Sequence, residues 1–591
     1  MRILYDSYKT QYKSPFGALA PEELCTMRIH IPTSCHTDAV WLLLRNDRTG
    51  QEREVPFMKE DAGEDYEIWQ GEFSLTEPDL YFYRFRIRTQ WETFCLYRWG
   101  NHDTNMEEGG LWQLSCVSKE YPAPDWAKGA VMYQIFPDRF HKSGECDLTE
   151  KLTPYSLHEN WYGTPRWMPD EKGEVWNNDF FGGNLKGIEE KLPYLQSLGV
   201  ELIYLNPIFM AFSNHRYDTC DYSRVDPMLG TEEDFRSLCD AAHALGMHII
   251  LDGVFSHTGS RSIYFDAEHR FGGGAVSDPN SPYRSWYQFK HYPTDYESWW
   301  GFRTLPCVNE LDPSFVDYII EGENSILAKW IGLGADGFRL DVADELPDDF
   351  ILRLRRRLRQ LKPDALLLGE VWEDASNKEA YGVRRRYFTD GELDGVMNYP
   401  WRTAIFRFTR GSDDGTSLSQ MVESLAENYP PQVLACTMNL LSSHDSARAL
   451  TDLIAPFEGG REAMAAHRLT PEGRAMGLRR LRFAAMLQYC LPGMPCIYYG
   501  DEAGLEGCKD PFNRGTYPWG REEKSLVDFF RELGELRRQY PALRYGTMEV
   551  LHGGGGKFGL RRSFKGETVT VHFDATSLTW ELTAGREGDG A

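Results

Sequence analysis

A closed (β/α)8 barrel with an N-terminal β-sandwich, an inserted subdomain after its third strand and a small C-terminal β domain is the fold this sequence predicts. Three observations lead there. Beyond about residue 120, buried-type runs of four to eight residues alternate with amphipathic stretches, the pattern of βα units. Eight such runs follow one another, which suits a closed cylinder better than an open sheet. The two ends of the chain show alternating runs between polar turns and no long helical period.

The elements follow in chain order. Ala39–Leu44 and Leu80–Arg88 alternate within an N-terminal domain over 1–122, and the linker Ser118–Gly129 carries Pro122 and Pro124. The barrel domain, 123–543, contains the runs Val131–Phe136, Leu202–Asn206, His248–Phe255, Gly337–Asp341, Leu366–Val371, Asp394–Asn398, Leu434–Leu440 and Pro495–Tyr499. Between the second and third runs, Thr231 and Asp234 form a capping pattern. Phe235, Leu238, Ala242 and Leu245 then share one face, and Gly246 stops the helix. A βα unit needs roughly 30 residues, yet the third and fourth runs lie much farther apart, so 256–311 is read as an inserted subdomain. Thr568–Phe573 and Leu578–Leu582 alternate within a C-terminal β domain over 544–591. His552–Lys557 superficially suggests a phosphate loop, but without a Lys-Ser/Thr ending or a following helix it reads as a hairpin connector.

Composition narrows the partners. The 591 residues include 64 Lys+Arg against 89 Asp+Glu, a net charge of −25 that repels phosphate backbones and anionic membranes. Nucleic acid and membrane are therefore not expected partners. Met1–Ser14 lacks the apolar core of a signal peptide, no apolar run is long enough to span a bilayer, and the 12 cysteines form no C-x-x-C pair. A cytoplasmic setting is the expectation.

Barrel enzymes carry their chemistry at the C-terminal ends of the strands. Here the third run ends in Asp252 through His257, the fourth in Arg339 and Asp341, the fifth in Glu370, Val371 and Trp372, and the seventh in His444 and Asp445. One acid beside an Arg, such as Asp341 with Arg339, has an ordinary explanation as a structural ion pair. Acids at several strand ends, each costly to bury unpaired, ask for another. Two carboxyl groups facing an acetal can cleave it, one attacking the anomeric carbon and the other protonating the leaving oxygen. His215, His257 and His444 lack the His-x-x-x-His pairing of a zinc site, so no metal ligand is assigned.

These residues resemble the α-amylase family, glycoside hydrolase family 13, over about 120–545. Asp252–His257, Gly337–Asp341, Gly369–Trp372 and Ser443–Asp445 follow the family's four main signatures in order. Asn206–Phe209 with His215–Thr219 resembles the segment after the second strand, and Gly493–Glu502 the one at the eighth. The resemblance implies a TIM barrel with Asp341 as nucleophile, Glu370 as acid/base and Asp445 as the acid that binds sugar hydroxyls and helps distort the ring. Arg339 would hold Asp341, His257 and His444 would bond the sugar, and Tyr217 would stack beneath it. Trp372 would meet the leaving sugar, Asp510 and Arg514 would bind the next sugar on the non-reducing side, and Asp252 would belong to the same substrate-binding set. An N-terminal β domain before the barrel is similar to the branch of neopullulanases, cyclomaltodextrinases and maltogenic amylases, in which this carbohydrate-binding-module-like domain often mediates dimers. A homodimer through it is thus an expectation. Gly369–Lys378 and Met397–Pro400 look closer to amylopullulanase-type enzymes, while Glu373 stands where many cyclomaltodextrinases have His and Asp344 where they often have Asn.

The implied activity is retaining hydrolysis of α-1,4 bonds, with α-1,6 bonds left open, in maltooligosaccharides, cyclodextrins, pullulan or starch. An α-glucan transglycosylase using the same glycosyl-enzyme intermediate and a non-catalytic glucan-binding protein are the alternatives. No cofactor is required. A structural calcium stays open, since relatives bind one near the first barrel loop, where His141–Thr149 offers few oxygens and Asn184 replaces a usual Asp.

Overall fold

Eight short apolar strands form the barrel of this computed structural model, which describes residues 2–121 and 123–586. They are Met132–Ile135, Leu202–Leu205, His248–Gly253, Gly337–Leu340, Leu366–Gly369, Gly395–Val396, Met438–Leu440 and Met494–Tyr498. Strands one to six pair in succession and in parallel; the first also pairs with the eighth and the eighth with the seventh. A parallel bridge between Met397 and Met438 joins the sixth to the seventh and closes the cylinder. Nearly every strand residue is buried, as a sheet covered by helices requires.

All eight strands lie within the expected runs or one residue outside them, and the sixth and seventh are shortened most, for local reasons. Asn398 leaves the sixth strand because its side chain accepts the Trp401 N–H (3.2 Å) and caps the helix Tyr399–Arg410. Leu434 belongs to a helical turn, Pro431–Leu434, so the seventh strand starts only at Met438. The crossover helix Glu232–Ala244 has the expected capping box, with Asp234 N–H bonded to Thr231 Oγ1 (3.2 Å) and Thr231 N–H to Asp234 Oδ2 (2.9 Å). The insertion after the third strand holds a helical turn, Arg284–Trp286, and a strand pair, Phe289–His291 with Asp295–Tyr296. Its core is aromatic, Phe265 packing against Tyr287 and Tyr296, and Tyr264 against Trp286. The C-terminal strands Thr547–Gly554, Lys557–Phe564, Glu567–Asp574 and Thr579–Arg586 make an antiparallel meander, with Gly555-Gly556 as the first hairpin turn.

The chain divides into two compact units. One holds the barrel, its insertion and the C-terminal strands. The other comprises 1–122 together with 373–394 and 419–434, two segments read from the sequence as barrel. Within this second unit, the Lys13 ammonium is fully buried against Glu427 (2.8 Å), Arg386 pairs with Asp47 (3.0 Å) and Asp79, and Asn101 Nδ2 donates to Gln420 O (2.9 Å). The N-terminal strands form one connected antiparallel sheet. Strand Glu52–Ala62 pairs through its first half with Thr37–Asn46 and through its second with Tyr66–Phe73, shifting register between Lys59 and Asp61. That crossing lets the two halves enclose a single core, which includes Ile29, Leu42, Phe57, Trp69, Phe85 and Trp112, as a sandwich does. Among the described residues no helix is long and apolar enough to cross a membrane.

Gly337 opens the fourth strand where a Cβ would lie 2.0 Å from the Leu366 carbonyl oxygen. Gly337→Ala must push the fourth and fifth strands apart, at a cost of about 1–3 kcal/mol. A lowered denaturant midpoint is expected, and an unchanged one would contradict this packing.

Candidate active site

The third and fourth strands are in register so that Asp252 lies opposite Arg339, and both side chains are buried at the C-terminal end of the barrel. The Arg339 guanidinium is fully buried and meets three carboxylates. Its Nη1 lies 2.8 Å from Asp252 Oδ1 and 2.8 Å from Asp341 Oδ1, and its Nη2 lies 2.9 Å from Glu370 Oε2. Three acids gathered on one cation cannot all charge freely. Burial and the Glu370 carboxylate push Asp341 well above the usual carboxylate range against the pull of Arg339, and burial also raises Asp252.

Glu370 is held at both oxygens. Oε2 accepts the Val342 backbone N–H (2.8 Å), and Oε1 accepts the Trp372 indole N–H (3.0 Å). Val342 reaches this position with φ 37°, a left-handed conformation costing a β-branched residue roughly 1–2 kcal/mol, and its amide thereby turns toward the acid. Trp372 stacks on Tyr399 at 3.8 Å and 7°, which fixes the indole plane while leaving the ring half-exposed.

A second set of contacts comes from the first, second and seventh strands. Gln134 Nε2 donates to His444 Nδ1 (2.9 Å) and to Asn206 Oδ1 (3.0 Å), so the imidazole proton sits on Nε2. From there His444 donates to the Tyr217 hydroxyl (2.6 Å), which itself donates to Asp252 Oδ2 (2.8 Å) and accepts from Asn206 Nδ2 (3.0 Å). Tyr204 donates to the same Asp252 oxygen (2.6 Å). Burial, with Arg339 and Arg514 nearby, holds His444 far below its ordinary range, so this chain runs through a neutral ring. Burial lowers His257 to about 4 against the opposing pull of the Tyr217 backbone, its Nδ1 is 3.0 Å from Ser256 Oγ, and its Nε2 makes no well-formed hydrogen bond among the described residues. That nitrogen is available to a ligand hydroxyl.

Asp445 Oδ2 lies 3.0 Å from His444 Nε2, and Oδ1 lies 3.9 Å from Arg514, which donates to the His444 carbonyl (3.0 Å) and pairs with Asp510 (2.9 Å). All eleven expected residues are thus linked to this end of the barrel, His257 through Ser256 and the third strand and the others through direct contacts. Gln134, Tyr204, Val342 and Tyr399 were not singled out as site residues. Gln134 and Tyr204 carried a signal, each being a polar-tipped residue inside an apolar run. The first barrel loop, for which a calcium stays open, offers a hard cation few unengaged oxygens. The Asn184 oxygen accepts the Gly187 and Ser143 N–H groups (2.8 and 3.2 Å), and Glu145 pairs with Lys142 (2.9 Å).

Ionised and protonated carboxyls side by side, with neutral hydrogen-bonding rings around them, can attack an acetal carbon and protonate its leaving oxygen. Asp445 carries a stability consequence. Burial, then the Glu370 charge, pushes it up to about 7 from 3.8, against the pull of Arg514 and Arg339. Between those values the folded state binds more protons than the unfolded one, so Asp445's contribution is full below about pH 4 and is lost as the pH rises through about 7. Asp445→Asn is expected to match the parent near pH 4 and exceed it near pH 8, by on the order of 1–3 kcal/mol after discounting its partial exposure. Thermal unfolding across pH measures this, and a difference independent of pH would contradict it.

Comparison with known proteins agrees with this geometry. The alpha amylase catalytic-domain family matches residues 134–535. An amylopullulanase of Thermoanaerobacter thermohydrosulfuricus is 36% identical over 617 aligned positions, covering 95% of this chain and 40% of that protein, so the chain spans less than half of that relative. Neopullulanase 2 of Thermoactinomyces vulgaris is 33% identical, over 75% of this chain and 69% of its own. Among solved structures, the type III pullulan hydrolase from Thermococcus kodakarensis superposes with a TM-score of 0.65 at 27% identity, covering 97% of this chain and 94% of that one. The family match takes in more than half of the chain and every one of the clustered acids, and on that ground the chain belongs to the alpha-amylase family.

Proposed function

We propose that this chain is a retaining α-glucan hydrolase that cleaves α-1,4-glucosidic bonds in maltooligosaccharides, cyclodextrins, pullulan or starch, with α-1,6 cleavage as the finer reading. The observation that carries it is the attachment of Asp341 and Glu370 to the two terminal nitrogens of one guanidinium, at 2.8 and 2.9 Å. A short separation between nucleophile and acid is what a double-displacement mechanism needs.

In the arrangement of the pair that leaves Asp341 ionised and the shared proton on Glu370, Asp341 attacks the anomeric carbon as the bond from that carbon to the glycosidic oxygen breaks, and Glu370 delivers its proton to that oxygen. Because Oε2 is engaged by Val342 and Arg339, Oε1 beside Trp372 is the oxygen that carries the proton, which puts the departing sugar next to the indole. Glu370 then takes a proton from water, the water oxygen bonds to the anomeric carbon, and the bond to Asp341 breaks. Asp445 and the His257 Nε2 would hold the sugar hydroxyls, with His444 orienting Asp445 from 3.0 Å, and Tyr217, nearly parallel to His444 (10°), would serve as a platform. The relatives' names, amylopullulanase, neopullulanase and pullulan hydrolase, support an α-glucan as substrate. A homodimer through the N-terminal domain and a cytoplasmic setting belong to the same proposal, the first being readable by light scattering of the intact chain.

Glu370→Gln and Asp341→Asn are each expected to lower kcat by at least about 10²–10⁴ while leaving the melting temperature near the parent value. Near-normal turnover in either variant would overturn its role. Pullulan separates the linkages: panose as product means α-1,4 cleavage and maltotriose means α-1,6 cleavage. No sugar released from pullulan, maltooligosaccharides or cyclodextrins would overturn the proposal.

A further inference from the structure

We propose that the end of the barrel opposite the acids binds a divalent transition metal of the zinc class through His243, His248 and Asp336. His243 lies in the last turn of the helix Glu232–Ala244, His248 is the first residue of the third strand, and Asp336 immediately precedes the fourth. Gly246, at φ 75°, turns the chain between helix and strand and brings the two histidines to one place. The potential ligand atoms of the three residues all lie within 4.8 Å of one another.

The two oxygens of Asp336 face one imidazole each. His243 Nε2 is 2.8 Å from Oδ2, and His248 Nδ1 is 3.2 Å from Oδ1. Donors held about 2.0–2.1 Å from a tetrahedral zinc lie roughly 3.3 Å apart, so the two carboxylate–imidazole spacings are near that value and the three atoms, within 4.8 Å of one another, have to draw in by at most about 1.5 Å. The scaffold is stiff. Asp336 is buried, its amide donates to Ile249 O (2.7 Å), and its Oδ2 also accepts the Ile249 N–H (2.8 Å). The His248 ring is stacked on Trp126 at 3.9 Å and 14°, which fixes its plane while its Nδ1 faces Asp336. Such outer contacts orient ligands in known metal sites.

A cavity of about 200 Å³ opens over the three residues, and Gly246, Met247 and Lys362 complete its lining. It has room for an ion and its waters, each water filling about 30 Å³. The Lys362 ammonium, 3.3 Å from Asp336 Oδ1, occupies the place of a cation. It is a half-buried flexible chain that also reaches Asp364 (3.5 Å), so it can yield to a metal. Two imidazoles with one carboxylate suit zinc and its neighbours rather than calcium or magnesium. An ion seated here would tie helix, third strand and fourth strand together at the floor of the barrel, beneath the strands that carry Asp252, Arg339 and Asp341.

The test uses the full chain, stripped with a chelator and titrated with zinc by calorimetry, with cobalt as a spectroscopic probe. The expected result is one saturable zinc per chain, a tetrahedral cobalt spectrum and a zinc-dependent rise in melting temperature. His243→Gln and His248→Ala should each weaken zinc binding by at least about tenfold, the scale on which even outer-shell groups act. Lys362→Met should tighten it. His243→Gln keeps a hydrogen-bonding group toward Asp336, and its metal-free melting temperature reports whether the fold is intact. Absence of saturable zinc binding, calcium bound in preference to zinc, or zinc binding unchanged in the doubly substituted chain would overturn the site and leave the cluster an ion pair.

Discussion

One buried guanidinium organises this protein's functional end. Arg339 is fully enclosed, and burying it would be prohibitive without counter-charges; Asp252, Asp341 and Glu370 supply them from the ends of the third, fourth and fifth strands. The dependence is mutual, because the acids could not be gathered at that depth without the cation. With three potential negative charges on one positive charge, the cluster favours a mixed state, part ionised and part protonated. Acid-assisted nucleophilic attack uses the form of that mixed state in which the attacking carboxyl is ionised and its neighbour holds the proton.

Around the ion cluster, neutral groups fix direction. The donor sequence from Gln134 through His444 and Tyr217 to Asp252 points one way because its last acceptor is a carboxylate. The same chain sets the His444 tautomer and leaves its Nε2 within reach of Asp445. On the other side, the left-handed Val342 and the Trp372–Tyr399 stack immobilise Glu370. Local backbone strain is tolerated there because the closed barrel beneath overdetermines the strand ends.

The barrel was legible because each strand is a short apolar run, and burial on both faces demands nothing subtler. Its sixth and seventh strands were read too long where a cap and a helical turn override apolar character: Asn398 and Leu434 carry no sign of this in isolation. The membership of 373–394 and 419–434 in the N-terminal unit was not legible, since it rests on partners far apart in the chain, such as Lys13 with Glu427. The acids were readable as polar endings to apolar runs. Val342 was not, because its contribution is a backbone conformation and an amide rather than a side chain. Nor was the grouping of His243, His248 and Asp336, which exists only once two strands have paired in register.

The most direct measurement of the central claim is to trap the reaction half-way. A slowly turned-over fluorinated α-glucosyl substrate, followed by proteolysis and mass spectrometry, should place a single sugar adduct on the Asp341 carboxylate. An adduct on Glu370, Asp445 or Asp252, or turnover with inversion and no adduct, would contradict the account of Asp341 as the nucleophile held by Arg339.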